Sequence, residues 1–216
     1  MADWQELLER EVARYEDGEA RLGDGSDERQ RQLTRMGNAA WGAGLCRLMQ
    51  GEDAVEWLAR AAARWRESYA EAPPASWGRP IGVIKALVLA GDWSGAEEAA
   101  RWALEEGAAG AESPIGRYAA ALAYLVLDEP HEARIEADAI RIRDDFPHDV
   151  GDALAMIAAE DVVGYTESVE SVLESFETRD AYLEDVPVAD TVLVLQALAG
   201  RRAMAADLEP SALLPS

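Results

Sequence analysis

Gly91-Asp92-Trp93-Ser94-Gly95-Ala96-Glu97 is the stretch that decides the fold. Gly91 suits the left-handed residue that closes a helix, and Ser94 with Glu97 has the spacing of a capping box that opens the next one. The seven residues therefore read as a tight turn between two helices. Working outward, helix-breaking positions recur at Gly51, Gly91, Asp128, Gly164 and Gly200, at intervals of 40, 37, 36 and 36 residues. Each break follows an apolar stretch and precedes an alanine-rich amphipathic one. That is the pattern of a helical repeat whose unit is a helix pair stacked on its neighbours.

Composition agrees. A chain of 216 residues with 49% apolar content can bury one sizeable core, or build a solenoid of about five helix pairs. Its apolar residues are mainly Ala, Leu and Val with only two Phe, which favours close-packed helices over sheet. The expectation is an all-α protein, either a right-handed α-α solenoid or a compact array of antiparallel helix pairs. It forms one helical-repeat domain over 1–216, with a capping helix and linker over 1–28, stacked pairs over 29–206 and a tail over 207–216.

Along the chain, Trp4, Leu7, Leu8, Val12 and Tyr15 share one face of a first helix that ends at Gly18. Arg21 to Glu28 reads as a charged linker, with a second helix beginning near Arg29. From Leu33 to Met49 the apolar period carries a cluster of small residues, Gly37 to Gly44, that admits a closely approaching helix. A partner helix follows over 53–69 with Val55, Leu58, Ala62, Trp65 and Tyr69 inward, and Pro73-Pro74 stops it. Pro80, Pro114, Pro130 and Pro187 read as first-turn prolines, where a missing amide hydrogen costs nothing.

Gly91-Asp92-Trp93 followed by Ala96, Ala100, Ala103 and Leu104 resembles the turn and second helix of a tetratricopeptide repeat. The spacing continues in Asp128-Glu129-Pro130 with Ala133 and Ala137, and in outline at Gly164-Tyr165 with Val169 and Leu173. The resemblance implies that the first helix of each pair lines a concave face that takes a peptide or helix. It places Ile81, Lys85, Val88 and Leu89 toward that groove, joined by Tyr118, Leu122 and Leu125. Val188 to Leu198 is similar to a segment of the immunity 49 family, which implies a toxin-neutralising role as the alternative.

Forty-two acidic residues against nineteen Arg and one Lys give a formal charge of -22. Such a chain repels nucleic acid and anionic membranes. Life in concentrated salt accounts for the acid excess, because at about 1 M the Debye length falls to roughly 3 Å and self-repulsion is screened. Codon bias toward Ala, Gly and Arg is the competing account. The first ten residues lack the order of a secretion signal, and the lone Cys46 reads as a buried thiol, so a cytoplasmic protein without cofactor is expected.

Candidates for chemistry are sparse. His131 and His148 lie in turns beside acids without metal-ligand spacing, and Asp144-Asp145 and Glu160-Asp161 match no calcium loop. Glu167, Glu170, Glu174 and Glu177 form one acidic ridge on a helix. Trp41, Trp57, Trp65, Trp93 and Trp102 read as wedges between helices, whereas Trp77, in a loop beside Arg79, reads as a contact residue. Lys85, mid-helix among apolar neighbours, pairs either with an internal Glu or with a partner carboxylate. The apolar helix after Asp190 is expected to pack into the solenoid end, with the tail carrying Leu213 and Leu214 folding back onto it or adding a homodimer contact. The partner-binding set is thus Trp77, Arg79, Ile81, Lys85, Val88, Leu89, Tyr118 and Leu122. The expected function is a non-enzymatic scaffold for a protein or peptide partner.

Overall fold

The computed structural model describes residues 2–23 and 25–216. The helices are α1 (Trp4–Ala20), α2 (Ser26–Met49), α3 (Val55–Tyr69), α4 (Gly78–Leu89), α5 (Trp93–Glu105), α6 (Pro114–Val126), α7 (Pro130–Arg141), α8 (His148–Ala159), α9 (Val162–Glu177) and α10 (Asp190–Gly200). Two 3-10 turns, Ala108–Gly110 and Leu183–Asp185, complete the list, and there is no strand among the described residues. Each helix packs on the next from α1 to α9, which makes an all-α, solenoid-like array of pairs.

The pairs α2/α3, α4/α5, α6/α7 and α8/α9 all reverse in the same way. One residue takes positive φ, namely Gly51 (69°), Gly91 (71°), Asp128 (60°) and Glu160 (54°). The next amide then donates to a carbonyl in the helix just ended: Glu52 to Arg47 (2.9 Å), Asp92 to Leu87 (3.0 Å), Glu129 to Tyr124 (2.9 Å) and Asp161 to Met156 (3.0 Å). The repeat read from the sequence is therefore a repeated helix-closing turn.

Several boundaries differ from the sequence reading. The fourth break is Glu160, not Gly164, which lies in the first turn of α9 with its amide bound by Asp161 Oδ1 at 3.0 Å. The cap of α5 is Asp92, whose carboxylate accepts from Gly95 N at 2.9 Å, so Ser94 falls inside the helix rather than at a capping box. Helix α2 starts at Ser26, ahead of Arg29, with Asp27 and Glu28 suited to the positive end of its dipole. Val55, at the first position of α3, is half exposed rather than inward. Pro187 opens no helix, since Ala189 beyond it gives its amide to Leu213 O at 2.9 Å and α10 begins only at Asp190.

Packing differs along the array. In α6 and α8 the faces turned inward are largely alanine, with Ala119, Ala120, Ala121, Ala123, Ala153 and Ala155 all fully buried. Small side chains let α4, α6 and α8 lie directly against one another. Between α2 and α4 a single indole intervenes: a Cβ on Gly37 or on Gly82 would lie 2.6 Å from the Trp65 ring. The small residues of α2 thus admit side chains, Trp65 at Gly37 and Leu58 at Gly44, more than a neighbouring backbone.

Candidate functional site

Helix α10 does not cap the end of the array. It turns back and lies against α4, α8 and α9. At its start Asp190 meets Lys85, and just past its end Arg201 stacks on Trp93 (4.4 Å) while Arg201 and Arg202 donate to the Val126 and Leu125 carbonyls. The helix therefore runs along the second halves of α4 and α6. Val192, Val194, Leu195 and Leu198 are all fully buried there, so this part of the inner face is filled from within the chain. The tail folds back as well: Gln196 exchanges two hydrogen bonds with Ala206 (2.7 and 2.9 Å), and Ser211 donates to Glu177 (2.7 Å).

The rest of the inner face stays hollow. A cavity of about 630 Å³ opens where Trp65 holds α2 and α4 apart. Its walls include Trp41 and Trp65, whose rings meet at 5.8 Å, together with Trp77, Ile81 and Gly82. Its polar groups are Thr34, Asn38, Ser76, Arg79, Lys85, Ser113 and Asp190. Ile115 and Leu183, 44% and 55% exposed, flank it. A second cavity of about 320 Å³ shares Gly78, Ile81 and Ile115 with the first and continues to Tyr118, Phe146 and Arg179.

Hydrogen bonds fix these walls. Trp65 Nε1 donates to Asn38 Oδ1 (3.0 Å), and Asn38 Nδ2 donates to Glu184 Oε1 (3.0 Å), so the segment between α9 and α10 is tied to α2. Glu184 takes φ 56° and also pairs with Arg14 of α1. Lys85 Nζ donates to Asp190 and to Thr191 Oγ1 (3.3 Å), and lies 5.7 Å from the centre of the Trp41 ring. Burial alone lowers the Lys85 ammonium, but the Asp190 carboxylate and Tyr118 together hold the group above its ordinary value. Lys85 thus has an internal partner, but it is an aspartate from α10 and not the glutamate expected.

Of the expected partner-binding residues, Trp77, Arg79, Ile81 and Lys85 do line the larger cavity, and Tyr118 lines the smaller. Val88 and Leu122 are in the core, 3% and 0% exposed, and Leu89 is half-buried, because α10 runs along that half of α4 and α6. Trp77 is 7% exposed and no free loop residue; it stands directly before α4 with its Nε1 packed against Gly116. Sequence reasoning missed Asn38, Ile115, Leu183 and Asp190. For Trp41 and Trp65 it found the wedge and not the space beside it. The pairing of Gly37 and Gly82 around Trp65 leaves no signal in local spacing.

His131 and His148 are exposed, and among the described residues no group of three or more His, Cys, Asp or Glu side chains is placed to hold a metal ion. Burial pushes the Cys46 thiol up to about 12, which leaves it protonated at neutral pH. No described helix is long and apolar enough to cross a membrane. Comparison of the chain with protein-family models, with curated proteins and with solved structures finds no match. The tetratricopeptide and immunity 49 likenesses thus rest on the quoted residues.

Proposed function

We propose that this chain is a non-enzymatic interaction module that takes an extended peptide segment of a protein partner into the hollow part of its inner face. The observation that carries the reading is the pre-formed cavity of about 630 Å³ walled by Trp41, Trp65 and Trp77, beside a stretch of the same face already filled by α10. Buried aromatic walls with a few fixed polar groups are what anchor pockets are made of. A helix, about 10–12 Å across with its side chains, suits the space less well than an extended segment. Thr34, Asn38, Arg79 and Lys85 are engaged with one another's neighbours and form no nucleophile and base pair, which favours binding over catalysis.

The test is selection of a random peptide library on the immobilised protein, repeated on Ile115→Glu and Leu183→Glu. Both positions are exposed at the cavity mouth, so folding is untouched and circular dichroism serves as the control. Peptides that bind the parent and lose at least tenfold in affinity to both variants support the groove; peptides indifferent to both substitutions overturn it. A second reading, a toxin-neutralising immunity protein, draws on the exposed Glu167, Glu170, Glu174 and Glu177 of α9. It expects a basic partner held on that ridge, whose association slows as salt rises.

A further inference from the structure

Of nineteen arginines, four have no carboxylate within ion-pair distance among the described residues: Arg35, Arg66, Arg79 and Arg179. Arg35, Arg66 and Arg179 are exposed, and the last two stack on Trp102 and Phe176. Arg79 alone is half-buried, and it lines the tryptophan-walled cavity. In a chain with a twofold excess of acids, a guanidinium in such a place would ordinarily find one.

The surroundings of Arg79 hold it without neutralising it. Its Nε donates to Ser68 Oγ (2.8 Å), and its Nη2 donates to Gln30 Oε1 and to Thr34 Oγ1 (3.0 Å). All three acceptors are uncharged. Ser68 and Gln30 are themselves buried, so the fork is positioned by the core and not by solvent. Nη1 keeps both hydrogens without an acceptor among the described residues, and it is not a buried, sealed-off atom. The other cation on the wall, Lys85, is spent on Asp190, which is also the only carboxylate among the lining residues. The cavity therefore carries one unspent positive charge beside three indoles.

Resting on the peptide-binding reading above, we infer that the segment taken by the cavity carries an aspartate or glutamate next to a bulky apolar residue. Its carboxylate is received by Arg79 Nη1 and its apolar side chain lies against Trp41, Trp65 and Trp77. The contact is a single charge-assisted hydrogen bond and not a two-pronged fork, because Nε and Nη2 are already engaged; it is worth about tenfold in affinity. The protein's net charge opposes an acidic ligand at long range, but at about 1 M salt the screening length is roughly 3 Å, so only the contact itself is felt.

The experiment uses two acetylated, amidated heptapeptides that differ only in a central Leu-Glu or Leu-Gln, titrated in about 1 M salt with the change in intrinsic tryptophan fluorescence as readout. The Glu peptide is expected to bind about tenfold tighter than the Gln peptide, and Arg79→Met to bring the two within about twofold of each other. Equal affinity of both peptides for the parent protein overturns the assignment without touching the groove, and needs no variant to fold. A Gln peptide with a free C-terminal carboxylate that binds as tightly as the Glu peptide also overturns it, by moving the recognised group from a side chain to a chain end. Failure of both peptides to bind overturns the groove reading along with it.

Discussion

The inner face of this molecule is built in two ways. Along α4, α6 and α8 the first helices of successive pairs touch through alanines, and α10 returns to cover them with Val192, Val194, Leu195 and Leu198. Between α2 and α4 the same face is held open by Trp65, and only the segment carrying Leu183 and Asp190 reaches across it. Small side chains allow a face to be closed by another helix, whereas a large rigid one between two small partners props it apart. The polar residues follow the division: Asn38, Thr34 and Arg79 sit in the hollow part, and the filled part is almost wholly aliphatic.

If Trp65 is the spacer, its removal has the largest effect. Trp65→Ala is expected to lose about 3–5 kcal/mol in urea unfolding, through lost burial and the void it leaves. Trp77→Ala, whose ring borders the open cavity, is expected to lose about half as much. Equal losses at the two positions would mean that the cavity is not open space in solution.

A pair of alanine substitutions compares a tight helix-helix contact with the hollow part, at a middle level of effect. A Cβ on Gly151, where α8 packs on the end of α7, would meet the Arg141 backbone at 2.9 Å, so the main chain itself must move. A Cβ on Gly82 meets the edge of the Trp65 ring, which has the cavity to move into. Overpacking of this kind costs about 1–3 kcal/mol, with Gly151→Ala expected at the upper end and Gly82→Ala at the lower, read from thermal unfolding. The reverse order would show that Trp65 has no room to give.

The smallest effect concerns the turns. The pairs bordering the hollow turn on Gly51 and Gly91, and those of the filled part turn on Asp128 and Glu160. Left-handed backbone strains a residue that has a Cβ, so Glu160→Gly is expected to stabilise and Gly51→Ala to destabilise, each by about 1 kcal/mol or less once the flexibility of glycine in the unfolded chain is counted. Chemical denaturation midpoints with unchanged slopes would report both.

Much of this architecture was legible before any coordinates. Gly51, Gly91 and Asp128 marked the turns because a helix that closes on a left-handed residue prefers glycine or a short polar side chain. Glu160 was invisible for the same reason: glutamate carries no turn signal, and nearby Gly164 offered a false one. Trp77, Arg79, Ile81 and Lys85 were found through helical spacing and their unusual chemistry, and the cavity brings them together. Val88 and Leu122 were misplaced because nothing local tells which stretch of an apolar helix face its own chain will later cover.

The sequence by itself determined what is short in range: the all-α class, the helix-pair turns, the buried faces and the acid excess. Each follows from propensity and periodicity within a few residues. Only the tertiary structure decided that α10 comes back over α4, that Lys85 meets Asp190, and that one indole between Gly37 and Gly82 leaves a cavity. Those outcomes depend on shape complementarity between segments up to about a hundred residues apart, and burying apolar surface rewards any arrangement that fits, with no trace in local spacing.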